Sequence, residues 1–284
     1  MVNDDVKTSL VAHLKELIRQ RDPYLAKQGH SYVRYYMHRQ LAQWGSAKAM
    51  EFTHQGHEYY NLCLELPGQR SLAPVIIGAH YDTVPGTPGA DDNATGLAVL
   101  LELARQFSEQ PPRRPVHLVA FDLEEYGLVG SRAYVSTLQG QSIHLMLSLE
   151  MLGYCARGML GAGQPSQRYP IEAMKHVYPK TGDFIALIGN WQTIPTLWRF
   201  KRAFKLAGVD CEWLPMIQQG RALPDTRRSD HAPFWDAGYN AIMVTDTANL
   251  RNPHYHGRTD TFDTLDLDFL TQVYMGLVQG ITQL

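Results

Sequence analysis

The chain has 284 residues, of which 44% are hydrophobic and 19% charged, with 23 glycines and 16 prolines, an ordinary globular composition. Lys and Arg number 26 against 28 Asp and Glu, a formal net charge of -2. The charges are scattered, which excludes the strong positive field that nucleic acid or an anionic membrane surface requires. Cys63, Cys155 and Cys211 lie far apart, are odd in number and form no C-x-x-C pair; buried thiols are expected rather than a disulfide scaffold or a zinc knuckle.

Asp4, Asp5, Lys15 and Glu16 interrupt every apolar run in the first twenty residues, so no signal peptide is read and a cytoplasmic location is expected. No window of about 18 apolar residues occurs, so no transmembrane helix is expected. Val6, Leu10, Leu14, Leu17 and Ile18 recur at helical spacing, and a second helix is predicted from Tyr32 to Trp44, with Ser31 as cap and Gly45 as stop. Neither helix is expected to carry chemistry. Ala49 to His54 and Tyr59 to Leu66 flank Gln55-Gly56 and predict a hairpin at a sheet edge.

Beyond the hairpin, strands and helices alternate. Val75-Ile76-Ile77 is a buried-type strand, Thr95 to Phe107 a helix, Val116 to Phe121 a strand, Ser131 to Leu138 a helix, and Ile143 to Leu149 a strand. Phe184 to Ile188 (strand), Thr193 to Leu206 (helix) and Cys211 to Ile217 (strand) continue the pattern. A polar loop, Gln218 to Arg228, then precedes a helix at Ala232 to Ala237, a strand at Ala241 to Thr245 and a closing helix from Leu267 to Leu284. The fold expected is α/β: a single domain, residues 1–284, with a mostly parallel central sheet flanked by helices on both faces and the helices of residues 1–48 packed on it.

In open parallel sheets, functional groups gather beyond the carboxyl ends of the strands. His80 and Asp82 follow the first parallel-type strand, Glu124 and Glu125 the second, and Glu150 the third. The Ala241 to Thr245 strand leads to Asn252-Pro253-His254-Tyr255-His256, and the glycine-rich segment Gly89 to Gly96 joins the first strand to its helix. Imidazole and carboxylate without thiolate suit zinc, cobalt or manganese. Asp92, Glu125 and Glu150 bring three negative charges to a pair of divalent ions, leaving room for one bound hydroxide, which is the charge balance of a hydrolytic site.

The segments His80-x-Asp82, Gly89-Ala90-Asp91-Asp92-Asn93-Ala94-Thr95-Gly96, Glu124-Glu125-x-Gly127-x-x-Gly130-Ser131 and Asn252-Pro253-x-x-His256 resemble the motif set of the two-zinc aminopeptidases. That family includes bacterial leucyl aminopeptidases, glutamate carboxypeptidase II and glutaminyl cyclases, and the resemblance runs from Pro74 to Leu284. It implies a zinc-exopeptidase fold of the phosphorylase/hydrolase-like type. It also implies two divalent ions, zinc by analogy: Asp92 bridges both, His80 and Glu150 complete one, and Glu125 and His256 complete the other. By the same resemblance Glu124 is the general base, Asp82 orients His80 through its second ring N–H, and the peptide after Asp92 is cis. Glu150 departs from the pattern, because many relatives have Asp there.

The activity so implied is removal of the N-terminal residue from a peptide with a free amine, by way of a metal-bridging hydroxide, with neither nucleic acid nor membrane as partner. Met151, Tyr154 and Tyr255 are candidate lining residues for a substrate side-chain pocket, and His231 is a candidate oxyanion ligand. His254 is expected to point away from the site, His117 and His144 to belong to strands, and the Asn93-Ala94-Thr95 sequon to be fortuitous. A single-zinc glutaminyl cyclase and a non-catalytic receptor-like member are the alternatives. Loop arginines Arg221, Arg227 and Arg228 raise the question of a carboxylate-bearing substrate. No G-x-S-x-G, H-E-x-x-H or G-x-x-x-x-G-K-[ST] occurs, and Gly161-x-Gly163 followed by Ser166 does not make a dinucleotide loop.

Overall fold

A computed structural model describes residues 2–155 and 167–284; Gly161-x-Gly163 and Ser166 lie outside them. In chain order the main elements are α1 Val2–Leu17, α2 Lys27–Leu41, β1 Lys48–His54, β2 His57–Leu66, β3 Val75–His80, α3 Gly96–Glu109, β4 Val116–Phe121, α4 Val129–Thr137 and β5 Leu145–Glu150. They continue with β6 Phe184–Asn190, α5 Ile194–Leu206, β7 Asp210–Met216, α6 His231–Asp236, β8 Ala241–Thr245 and α7 Leu267–Thr282. The strands form one sheet in the order β1-β2-β4-β3-β5-β8-β6-β7. β4-β3, β3-β5, β5-β8 and β6-β7 pair in parallel, while β1-β2, β2-β4 and β6-β8 pair antiparallel.

Alternation along each strand sorts the core onto two faces. Ile77, Leu118 and Leu147 face the larger cluster with residues of α1, α2, α3, α5 and α7. Their neighbours Ile76, Val119 and Met146 face the smaller one, under Tyr134 of α4 and Phe234 and Trp235 of α6. The helices thus cover both faces, as the alternating pattern requires. Gly276 and Gly280 let α7 approach α5 closely: a Cβ at either would stand 2.2 Å from Phe204 or 2.4 Å from Phe200. All three cysteines are buried and none forms a disulfide. No helix among the described residues is long and apolar enough to cross a membrane.

Element boundaries depart from expectation mainly at α2, which begins at Lys27 and has no side-chain cap, so Ser31 is an interior helical residue. Asp22 accounts for the early start: its Oδ1 accepts the Tyr24 and Leu25 N–H groups at 2.9 and 2.5 Å and shapes the turn ahead of the helix. Gln218 to Arg228 is not a uniform loop but holds two short 3-10 turns, Gln218–Gly220 and Pro224–Arg227.

Candidate metal centre

β3, β4, β5 and β8 lie side by side, and parallel pairing brings their carboxyl ends to one edge. His80 is the last residue of β3 and pairs with Phe121 of β4, just ahead of the Glu124-Glu125 turn. Glu150 is the last residue of β5 and pairs with Thr245 of β8. Asp92 comes from the segment Ala90–Thr95 that connects β3 to α3, where the Asp92–Asn93 peptide is cis. Gly89 opens that segment at φ 62°, and a Cβ there would lie 2.4 Å from the Asp92 carbonyl oxygen, so only glycine fits.

Of the two adjacent aspartates, Asp92 alone faces the histidines. Its Oδ1 is 3.3 Å from His80 Nε2, and its Oδ2 is 3.3 Å from His256 Nε2. Asp91 turns inward, accepting the Gly153 N–H and the Asn252 side-chain amide, each at 2.8 Å. The neighbouring glutamates divide in the same way. Glu125 Oε2 is 3.2 Å from His256 Nε2, whereas a Glu124 carboxylate oxygen stands with His80 and Glu150, all within 4.8 Å of one another. The structure therefore brings His80, Asp92, Glu124, Glu125, Glu150 and His256 together.

Electrostatics at this cluster are one-sided. Burial opposes a charge on His80, yet the surrounding carboxylates, Glu124 first, raise its pKa well above the ordinary value. Burial likewise works against the His256 cation, but Asp92 and Glu125 push that group up to about 10. Burial pushes the Asp92 carboxyl up, and His256 and His80 more than offset it, holding the acid below its usual range. Burial and the Asp92 charge raise Glu125 to about 7, while burial raises Glu124 well above the usual carboxylate range. Two buried ligand-type atoms in the cluster, His80 Nε2 and Glu125 Oε1, have no hydrogen-bond partner among the described residues. Such a set has more carboxylates than basic groups, and divalent ions fit it.

Some of the remaining expectations need revision. Asp82 is not chiefly a partner of His80: its two carboxylate oxygens accept the Glu124 and Glu125 N–H groups at 3.0 and 3.1 Å. His80 Nδ1 lies closer to the Asp82 main-chain oxygen, 3.2 Å, than to its carboxylate, 3.5 Å. Asp82 thus pins the turn that presents both glutamates. Met151 and Tyr154 do not line the cavity beside the site. Met151 sits at φ 51° and donates its N–H to Asn93 Oδ1, which turns the chain back after Glu150 and buries both side chains.

Tyr255 does reach the cavity, its ring stacked on His256 with centroids 3.8 Å apart. His254 points away, to Thr259. Asn93 is fully buried, its amide spent on the Leu149 carbonyl oxygen, which takes the sequon out of solvent.

His231 is completely buried rather than lining the cleft, with Nε2 2.8 Å from the Thr226 carbonyl oxygen and its ring edge-on to Trp235. Burial lowers its pKa from 6.5 to about 4. The unfolded chain therefore takes up a proton between these values that the folded chain refuses, and stability falls as pH drops from 6.5 toward 4. His231→Gln, which keeps a donor but cannot titrate, should flatten that part of the pH–stability curve by roughly 3 kcal/mol. Urea unfolding of both proteins from pH 7 to pH 4 checks this; parallel curves would refute it.

Several contributors were not singled out in the sequence. Arg21, fully buried after α1, donates to the carbonyl oxygens of Pro88, Gly89 and Asp92 at 2.8, 2.9 and 3.2 Å, so the amino-terminal region does reach the site. Asp260 accepts the Asp91 and Asp92 N–H groups at 2.9 and 3.1 Å. Ser229 donates to Glu150 Oε2 at 2.7 Å, and Tyr126 donates its hydroxyl to Asp22. Ser229 and Tyr126, within two residues of His231 and Glu125, are the ones a local reading reaches.

The model of peptidase family M28 matches residues 61–185. The uncharacterized protein YfbL of Escherichia coli is 40% identical over 217 residues, covering 72% of this chain and 65% of that protein. Aminopeptidase YwaD of Bacillus subtilis is 28% identical over 204 residues, 70% of this chain and 38% of that protein. The chain thus spans less than two thirds of the length of either relative. Among solved structures, a leucine aminopeptidase precursor from Bacteroides thetaiotaomicron superposes with a TM-score of 0.71 at 18% identity, covering 99% of this chain and 97% of that one, a likeness of fold. Residues 61–185 thus match peptidase family M28, and the likeness to aminopeptidase YwaD and the shared fold agree with that match.

Proposed function

We propose that the protein is a metallo-aminopeptidase with two divalent ions, zinc by preference, held by His80, Asp92, Glu125, Glu150 and His256. The observation that carries this reading is the buried, carboxylate-rich cluster in which Asp92 stands 3.3 Å from both His80 and His256 while His80 Nε2 and Glu125 Oε1 have no hydrogen-bond partner among the described residues. The resemblance to aminopeptidase YwaD supports the reaction class. When bound, the ions supply Lewis acidity to the scissile carbonyl and to the attacking water.

The chain's own residues do the rest. Glu124, whose carboxyl is raised by burial, accepts the proton from the attacking water and returns it to the leaving amine. Asp82 fixes the main chain of Glu124 and Glu125, so the base and its neighbour keep their separate directions. Ser229 holds Glu150 from behind. Carboxylates converging here tolerate a substrate ammonium group, whereas an acyl cap removes that charge and adds bulk.

A peptide with N-terminal Leu should therefore lose that residue, and its acetylated form should not, as followed by mass spectrometry. Cleavage of the acetylated peptide alone would overturn the reading. Loss of ammonia from an N-terminal Gln peptide, without peptide cleavage, would replace it with cyclisation.

A further inference from the structure

We infer that Arg228 is a specificity residue that receives a substrate carboxylate beside the metal centre, an inference that rests on the aminopeptidase reading and narrows its substrate class. Among the loop arginines, Arg227 and Arg221 turn to Asp236, at 2.7 and 3.8 Å. Arg228 goes the other way, into a pocket that Glu150 and Tyr255 also line. Two contacts place it. The next residue, Ser229, is bonded to Glu150, and Arg228 Nη2 donates to the Tyr255 hydroxyl at 3.0 Å, on the ring that stacks against His256.

The Arg228 side chain is 47% exposed, and its nearest carboxylate among the described residues, Asp225, stands 3.9 Å from Nη1. That separation is too long for a hydrogen bond, so the planar fork that pairs with a carboxylate through two parallel bonds is not used up. The other charged side chains that line this pocket among the described residues, Glu150 and Asp225, are both acidic. Arg228 is the one cationic side chain among the described residues lining the pocket, and so the group there that can pair with a substrate carboxylate. The other walls, such as Ile188 and Met243, accommodate the methylenes of a side chain on the way to Arg228. Asp225 competes for the same fork.

The carboxylate can belong to the side chain of an N-terminal Glu or Asp, or to the carboxyl end of a dipeptide. Steady-state kinetics with Glu- and Gln-p-nitroanilide, equal in shape and different in charge, tests the first source. Leu-Gly against Leu-Gly-amide tests the second. In the wild-type protein one anionic substrate should exceed its neutral partner by about 10-fold in kcat/KM, mostly through KM, the worth of one half-exposed charge-assisted pair. In Arg228→Gln that ratio should fall toward one, and in Asp225→Asn, which removes the competitor, it should widen.

Preference for Glu assigns the site to a side chain; preference for Leu-Gly assigns it to a terminal carboxylate. Turnover with both ratios near one, or ratios unmoved in Arg228→Gln, would overturn the inference while leaving the aminopeptidase reading standing. No turnover of Leu-, Gln- or Glu-p-nitroanilide or of either dipeptide substrate would overturn both.

Discussion

Glu124→Gln is expected to lose on the order of 10²–10⁴ in kcat against Leu-p-nitroanilide, the range for removing a positioned general base, while zinc content stays unchanged. The amide keeps the shape and the Asp82-anchored main chain but cannot accept the proton. Glu125→Gln should behave differently, because Glu125 faces His256 at 3.2 Å and removing its charge weakens the hold on a metal ion. Its zinc content per chain should drop, and added zinc should restore part of the activity. The pair of variants separates two adjacent residues of identical chemistry. Near-normal kcat in Glu124→Gln would refute its role as base; identical zinc content in both variants would refute the division of labour.

Zinc should raise the thermal stability of the metal-free protein, and Asp92→Asn should abolish most of that gain together with activity. A ligand at a thousandfold excess over its Kd, bound to the folded state alone, stabilises by about 4 kcal/mol, which for a chain of this size is roughly 7 °C in Tm. The effect has a local cause: the cluster crowds carboxylates around two histidines, and burial has already raised Glu124 and Glu125, so cations relieve a repulsion that the apo chain bears. Asp92 is the group common to both histidines. Its replacement removes one negative charge from between two cationic positions. Thermal unfolding with and without zinc, alongside metal analysis of the dialysed proteins, reads both effects. A zinc-induced rise in Tm equal in Asp92→Asn and wild type would place the ions elsewhere.

Much of the architecture was legible in the sequence because its cause is local and periodic. Val116 to Phe121 and Ala241 to Thr245 are strands with the expected bounds, since short apolar runs between turn residues have few other solutions. His80, Glu125 and Glu150 could be read for a related reason, since parallel strands end at one edge and polar residues at or just after successive strands converge; Asp92 and His256 lie in loops and were read through the motif resemblance. His80, Asp92, Glu125, Glu150 and His256 do converge. The start of α2 was misplaced because the deciding contact, Asp22 with the following N–H groups, is a turn rather than a helical period.

What only the tertiary structure decided is how those residues are held. Arg21 and Asp260 lie far from Asp92 in sequence yet bond its segment directly, and no spacing rule links such distant positions. Asp82 sits two residues from His80, which made His80 its apparent partner, but strand pairing puts the Glu124-Glu125 turn within reach of both its oxygens. Met151, Tyr154 and His231 are neighbours of site residues along the chain and are nonetheless buried, because a left-handed turn at Met151 and the Thr226 contact to His231 carry them inward. Proximity along a chain fixes where the backbone passes; the direction of a side chain is settled by whichever hydrogen bonds and apolar surfaces the folded neighbours offer.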